Sequence, residues 1–197
     1  MLVEPVTLEG RFVRLEPLER IHLDALCHVG LEAELWRWTV ANIATRGDME
    51  NYVEIALDER SRGLSLPFVT IDKGSDTVVG STRFGNIDWN NRKAEIGWTW
   101  IGPAWQRTHV NTEAKMLMLT HAFEKWNCVR VELKTDSKNQ KSRSAILRIG
   151  ATEEGTLRRH MITESGRFRD SVYFSIIDDE WPIVKAALFE KLTSTPK

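Results

Sequence analysis

The run Trp105-Gln106-Arg107-Thr108-His109-Val110-Asn111-Thr112 leads into Met116, Leu119, Phe123 and Trp126 at helical spacing. Before it, from Lys93 to Ile101, Ile96, Trp98 and Trp100 alternate with Glu95, Gly97 and Thr99, a strand with two different faces. Gly102 and Pro103 break that strand. The first turn of a helix carries unpaired N–H groups and a partial positive charge, so a strand, loop and helix in this order make a seat for a phosphate. Arg107 and Lys115 add full charges. An ordinary helix capped by Asn111 has the same pattern, and loop and helix alone favour it, since most helix starts bind nothing. The loop has no Gly between Pro103 and Thr112 and no Gly-Lys-Ser/Thr ending, which argues against a nucleotide triphosphatase.

The elements that must position this loop follow from periodicity. Val6 to Leu18 reads as a first strand around a Gly10 turn, closed by Pro17. Leu23, Leu26, Cys27 and Gly30 recur at helical spacing, and a second helix starts at Asp48 as N-cap and ends at Gly63. Trp36 to Arg46 reads as irregular. Leu66 to Asp72 and Thr77 to Phe84 form a hairpin around Lys73-Gly74-Ser75-Asp76, and Asn86 to Asn91 turns the chain into the Lys93 strand. After the central helix come a strand at Val129 to Thr135, a helix capped by Asn139 and stopped by Gly150, strands at Glu154 to Met161 and Arg167 to Ile177, and a helix from Trp181 to Leu192. Strands and helices in this order predict a mixed sheet covered by helices, an α/β or α+β sandwich. The whole chain, residues 1–197, reads as a single domain with a frayed tail from Thr193.

A formal net charge of −1 gives no bulk attraction to nucleic acid, so DNA is not an expected partner. The two cysteines, Cys27 and Cys128, have no close pair and no His cluster, which suggests neither metal nor disulfide. No signal-peptide run occurs in Met1 to Arg20 and no stretch reaches membrane-span length, so a cytoplasmic location is expected. His121 falls within an apolar helical stripe and reads as a core or boundary histidine. A homodimer is left open.

The element order resembles that of the GCN5-related N-acetyltransferases (GNAT). The run from Trp105 to Lys115 is similar to that family's acetyl-CoA loop and helix. Arg130-Val131-Glu132, Asp136, Asn139, Ser142, Ile149-Gly150-Ala151, Glu154-Gly155, Arg158, Arg169-Asp170-Ser171-Val172 and Glu180-Trp181-Pro182 resemble the ribosomal-protein (RimJ/RimL-type) branch. The resemblance covers nearly the whole chain. In the family's loop pattern, Gln or Arg is followed after two residues by Gly, then one residue, then Gly or Ala. Gln106 fits, whereas His109 and Asn111 occupy the two small-residue positions. Ile146 stands where many relatives carry a Tyr that protonates the leaving thiolate.

The resemblance implies a mostly antiparallel sheet whose fourth and fifth strands, Lys93 to Ile101 and Val129 to Thr135, splay apart to admit acetyl-CoA. It implies cofactor contacts from Trp100, Ile101, Gln106, Arg107, Thr108, His109, Val110, Asn111, Thr112, Asn139 and Ser142, with no metal. The attacking amine must be neutral, so Glu95 is the expected base, against the alternative of a surface carboxylate. Ser142 is the expected proton donor to the departing thiolate, against a polar residue in a first helical turn. Lys138, Lys141 and Arg143 could meet the ribose phosphate or form a solvated face. A protonated His109 ring would add a cation beside the pyrophosphate. The expected activity is acetyl transfer to a primary amine, either a protein N-terminus or a small molecule. A catalytically weak acyl-CoA sensor is the alternative, and a nucleotide-binding module a third. An α-amine, with pKa about 7.7 to 8.0, asks less of a base than a Lys side chain at about 10.4.

Overall fold

The computed structural model describes residues 3–194. Its strands are β1 (Leu8–Glu9), β2 (Val13–Pro17), β3 (Leu66–Asp72), β4 (Thr77–Asp88), β5 (Lys93–Ile101), β6 (Arg130–Asp136), β7 (Thr152–Ile162) and β8 (Phe168–Ile177). The helices are α1 (Leu23–Gly30), α2 (Ala33–Trp36), α3 (Arg46–Ser61), α4 (His109–Glu124), α5 (Gln140–Arg148) and α6 (Trp181–Ser194). All eight strands form one sheet in the order β1-β2-β3-β4-β5-β6-β8-β7, and only β5 with β6 is parallel. One apolar cluster packs α4, α5 and α6 against one face of the sheet, and a second packs α1, α2 and α3 against the other. No helix among the described residues is long and apolar enough to cross a membrane.

The mixed, mostly antiparallel sheet and the Lys93–Ile101 strand agree with the sequence reading. Several local readings need correction. The expected first strand is two strands of a hairpin, and Ala33–Trp36 forms a short helix just before the irregular stretch. Helix α3 starts at Arg46, because Thr45 is its N-cap. Asp48 is the third helical residue, and its carboxylate reaches back to the Thr45 N–H in a capping box. Helix α4 is capped by Thr108, whose hydroxyl accepts from the Val110 N–H at 3.3 Å, so Asn111 already lies inside the helix. The Asn139 cap of α5 is as expected, its carbonyl oxygen accepting from the Ser142 N–H at 3.1 Å. Helix α6 runs through Ser194, and residues 195–197 of the expected tail lie outside the described residues.

The largest departure is inside β5. Ala94 and Ile96 pack with α4, whereas Trp100 packs with α1 and α3, so Ile96, Trp98 and Trp100 do not share a face. The register with β4 shifts between Ser81 and Arg83, and Trp98 takes φ 51°. One extra residue reverses the parity of the strand. Gly85 makes room for the displaced indole: a Cβ there would lie 2.5 Å from the Trp98 ring.

One carboxylate ties the first hairpin to the central helix. Glu113 of α4 is buried and accepts from the backbone N–H groups of Arg11, Phe12 and Val13 at 2.9, 2.7 and 2.6 Å. Glu113→Ala leaves these donors without an acceptor and should lower the unfolding free energy by about 3 kcal/mol, with a smaller loss for Glu113→Gln, which keeps one carbonyl oxygen. Urea denaturation measures this, and a wild-type midpoint in the Ala variant would mean that the turn is held by other contacts.

Candidate active site

Strands β5 and β6 pair only at Lys93 with Arg130, Ala94 with Val131 and Glu95 with Glu132. Beyond those three pairs β5 continues to Ile101 and β6 to Asp136 with no ladder between them. The facing backbone groups are therefore left for another partner. A cavity of about 1170 Å³ occupies the split and extends under α2 and α3. That exceeds the roughly 300 to 1,000 Å³ of a typical single-ligand pocket and leaves room for two substrates.

Trp100, Ile101, Gln106, Arg107 and Asn111 line the cavity from the β5 side, and Asn139, Ser142 and Ile146 from the α5 side. The loop between β5 and α4 is pinned at both ends. The Gln106 amide donates to the Ile101 carbonyl at 3.0 Å, the Thr108 hydroxyl donates to the Trp105 carbonyl at 2.7 Å, and Arg107 takes φ 63°. Thr108, His109, Val110 and Thr112 supply the cap and first turn of α4, and their side chains are not on the cavity wall. The His109 ring packs at a tilt against Phe12 with centroids 4.3 Å apart, and its Nε2 lies 3.9 Å from Asp72. The expected cation beside a pyrophosphate is therefore not found there. Lys138 and Lys141 line the cavity, whereas Arg143 pairs with Glu153 at 3.1 Å. His121 packs against Phe84 and Trp126, and burial pulls its pKa below the ordinary value.

Glu95 sits where β5 and β6 part. It is 3% exposed, and its Oε2 accepts from Lys134 Nζ and from Asn86 Nδ2, each at 2.8 Å. Both bonds fall on one oxygen, and Glu95 lines the cavity. Glu95 thus lies on the wall of the split and is not a free surface group. Trp98 stands next to it, its ring facing the Arg83 guanidinium at 4.7 Å and Lys134 Nζ at 6.0 Å. Ser142 lines the opposite wall, and its hydroxyl makes no hydrogen bond among the described residues.

Lys115 is not at the helix start. Six residues into α4, it turns toward the sheet, where its ammonium donates to Thr82 Oγ1 at 3.0 Å and Thr99 Oγ1 at 2.6 Å. No carboxylate among the described residues pairs with it, and burial brings its pKa down to about 7. Sequence reasoning did not single out Trp98, Lys134 or this burial of Lys115. A heptad-like reading of α4 puts Lys115 beside the buried Met118 and Ala122, but nothing in its neighbours predicts a bulge that brings Thr99 beneath it.

The profile of the acetyltransferase (GNAT) domain matches residues 13–152. The chain is 36% identical over 105 residues to the Bacillus subtilis protein named Putative ribosomal N-acetyltransferase YdaF, a match spanning 53% of this chain and 56% of that one. A solved GCN5-related N-acetyltransferase from Brucella melitensis is 35% identical, with TM-score 0.87 over 95% of this chain and 85% of the other. Mycobacterium smegmatis RimJ, solved with CoA-disulfide, shares the fold at 23% identity and TM-score 0.81, covering 95% of each chain.

The buried lysine carries a pH signature. Unfolded, Lys115 keeps its proton to about 10.5, whereas folded it keeps it only to about 7. Between these values the unfolded chain binds more protons, so Lys115 opposes folding fully below pH 7 and progressively less as pH rises. Thr82 and Thr99 hydroxyls lie 2.8 Å apart and can pair with each other once the ammonium is gone. Lys115→Met should thus be more stable than the wild type near neutral pH, by up to a few kcal/mol, with the advantage gone by about pH 10. Denaturation of both proteins at about pH 6, 8 and 10 measures it, and a difference independent of pH would mean that Lys115 stays protonated throughout.

Proposed function

The chain belongs to the GNAT acetyltransferase family, and from that premise we propose that it is a RimJ/RimL-type member that moves an acetyl group from acetyl-CoA to a primary amine by direct attack within a ternary complex. The observation that carries this reading is the split of β5 from β6 after three residue pairs, opening onto a cavity with Glu95 on one wall and Ser142 on the other. Two unpaired strand edges suit a ligand arm rich in amides, and the α4 start with Arg107 suits a phosphate. The residues thus fit acetyl-CoA, whose thioester supplies the activated acetyl group.

Backbone groups of β5 near Trp100 and the Asn139 side chain would hold the pantetheine arm, while Gln106 to Thr112 would receive the pyrophosphate through backbone amides. A β5 N–H aimed at the carbonyl oxygen would stabilise charge developing there, typically worth about 3 to 4 kcal/mol per donor. Glu95 takes the proton from the amine, directly or through water, on the oxygen that Lys134 and Asn86 leave free. With Ile146 in place of a Tyr, the Ser142 hydroxyl on the α5 wall gives a proton to the leaving sulfur. The name of the Bacillus subtilis relative points to a ribosomal protein as acceptor class, hence to an α-amine and a cytoplasmic location. The rival reading is an acyl-CoA sensor without turnover, favoured by Ile146 and by the non-glycine residues His109 and Asn111.

Thiol release from acetyl-CoA over a panel of peptides and small amines separates the two, since binding of CoA with no turnover on any amine would favour the sensor. For an active panel member, Glu95→Gln should lower kcat about 100- to 10,000-fold with the Kd for acetyl-CoA nearly unchanged, and Ser142→Ala should slow the step only modestly. A wild-type rate in Glu95→Gln would remove the base role, and loss of CoA binding in a folded Ser142→Ala protein would make that hydroxyl a binding group.

A further inference from the structure

Arg169 of β8 is 7% exposed and lines the cavity, and its side chain makes no hydrogen bond or ion pair among the described residues, with Nε fully buried and unpartnered. A buried guanidinium left this way is costly unless something else meets it. Its neighbours do not. Asp136 and Glu95 are close enough to act on it electrostatically, as are Arg167 and Tyr173. Yet Asp136 is held by Arg167 at 2.7 Å and Glu95 by Lys134 at 2.8 Å. Each local carboxylate thus has its own cation, and Arg169 is the surplus positive charge. Of the other acidic residues of the cavity wall, Glu32, Glu34 and Glu164 are exposed, Glu164 is engaged by the Asn42 N–H at 2.7 Å, and Asp48 accepts from the Ala44 and Thr45 N–H groups.

Alternation along β8 places Arg169 on the same face as Ser171 and Tyr173, and the pairing of Tyr173 with Lys134 brings that face to the β6 side of the split. Arg169 therefore lies on the acceptor side of Glu95, away from the α4 start. Resting on the transferase reading above, we infer that the amine acceptor carries a carboxylate and that Arg169 binds it, holding the amine toward Glu95. A planar fork with five donors suits a carboxylate better than a lone carbonyl, which leaves the charge unmet.

The carboxylate has two sources, the α-carboxylate of a free amino acid or an acidic side chain near a peptide N-terminus. Two matched pairs separate them: serine against serinamide, and C-terminally amidated Ser-Asp against Ser-Asn peptides. The ratio of kcat/KM within a pair should favour the carboxylate member by about 10- to 100-fold in the wild type and fall to about one in Arg169→Met, as a charged hydrogen bond is worth about 1.5 to 3 kcal/mol. Arg169→Lys should keep part of the preference. Because the Arg169 side chain loses no protein partner and its burial is costly, Arg169→Met should fold at least as stably as the wild type. If no amine is turned over, the transferase reading fails, and the same pairs are read by thermal shift with CoA present: stabilisation by the carboxylate member that Arg169→Met abolishes upholds the Arg169 site. Equal rates and equal shifts within both pairs in the wild type, or a preference that survives in Arg169→Met, would overturn it.

Discussion

The ion pair between Glu95 and Lys134 stands at the point where the sheet comes apart. Parallel pairing of β5 with β6 stops at Glu95 and Glu132. Two residues farther along β6, Lys134 reaches back to Glu95 of β5 in a hydrogen-bonded salt bridge at 2.8 Å. The pair ties the two strands at the apex by side chains while their backbones diverge. Glu95 is 3% exposed, so breaking the pair leaves an uncompensated buried charge, and the apex is fixed. Everything else about the cavity follows from that fixed apex: two open strand edges, a helix start at one end and a polar β8 face at the other.

The elements that frame the cavity were legible in the sequence because they rest on periodicity and punctuation. The β5 bounds, the Asn139 cap and the element order from β3 onward depend on alternation, Gly and Pro positions and side-chain caps, all local signals. The caps of α3 and α4 were misplaced where two capping residues stood close together: Thr45 with Asp48, and Thr108 with Asn111. In each case the earlier hydroxyl wins, because a later residue that is an acceptable cap is equally at home in the first turn. What was not legible was the bulge at Trp98, which depends on how β4 pairs with β5 and on the empty space above Gly85. With the bulge went the correct faces of Trp98 and Trp100, and therefore the environment of Lys115. The pattern of the candidate site was partly visible in the same way. Glu95, Asn139 and Ser142 sit on the cavity wall, whereas the His109 ring turns to Phe12 because the first hairpin, 97 residues earlier in the chain, packs against α4.

Four buried or half-buried cations around the cavity show how local surroundings set the work each can do. Arg83 is 3% exposed, paired with Glu59 at 2.8 Å and faced by the Tyr52 and Trp98 rings, so it is structural. Lys134 is paired with Glu95 and faced by Trp98 and Tyr173. Lys115 has only two hydroxyls, an arrangement that a neutral amine satisfies as well as an ammonium, and its pKa falls to about 7. Arg169 has nothing. A guanidinium cannot shed its proton as Lys115 can, so burial cannot be relieved by titration. The two solutions are not interchangeable: a lysine at the Arg169 position could neutralise itself, whereas the arginine stays charged and keeps its demand for an anion.

That difference bears on how the two halves of the cavity are specialised. The half beside α4 presents backbone amides and a helix start, which recognise phosphate and amide groups without regard to side chains. The half beside β8 presents side chains only: Trp98 set between Arg83 and Lys134, and Arg169 without a partner. A shared co-substrate is best met by backbone, which substitutions cannot easily alter. Selectivity among acceptors is best met by side chains on a sheet face, where one replacement changes charge or shape and the fold is kept. The parity reversal at Trp98 is what lets one strand line both: residues up to Ile96 anchor the α4 core, and those after it turn Trp100 toward α1 and α3 and leave Trp98 beside the β8 half.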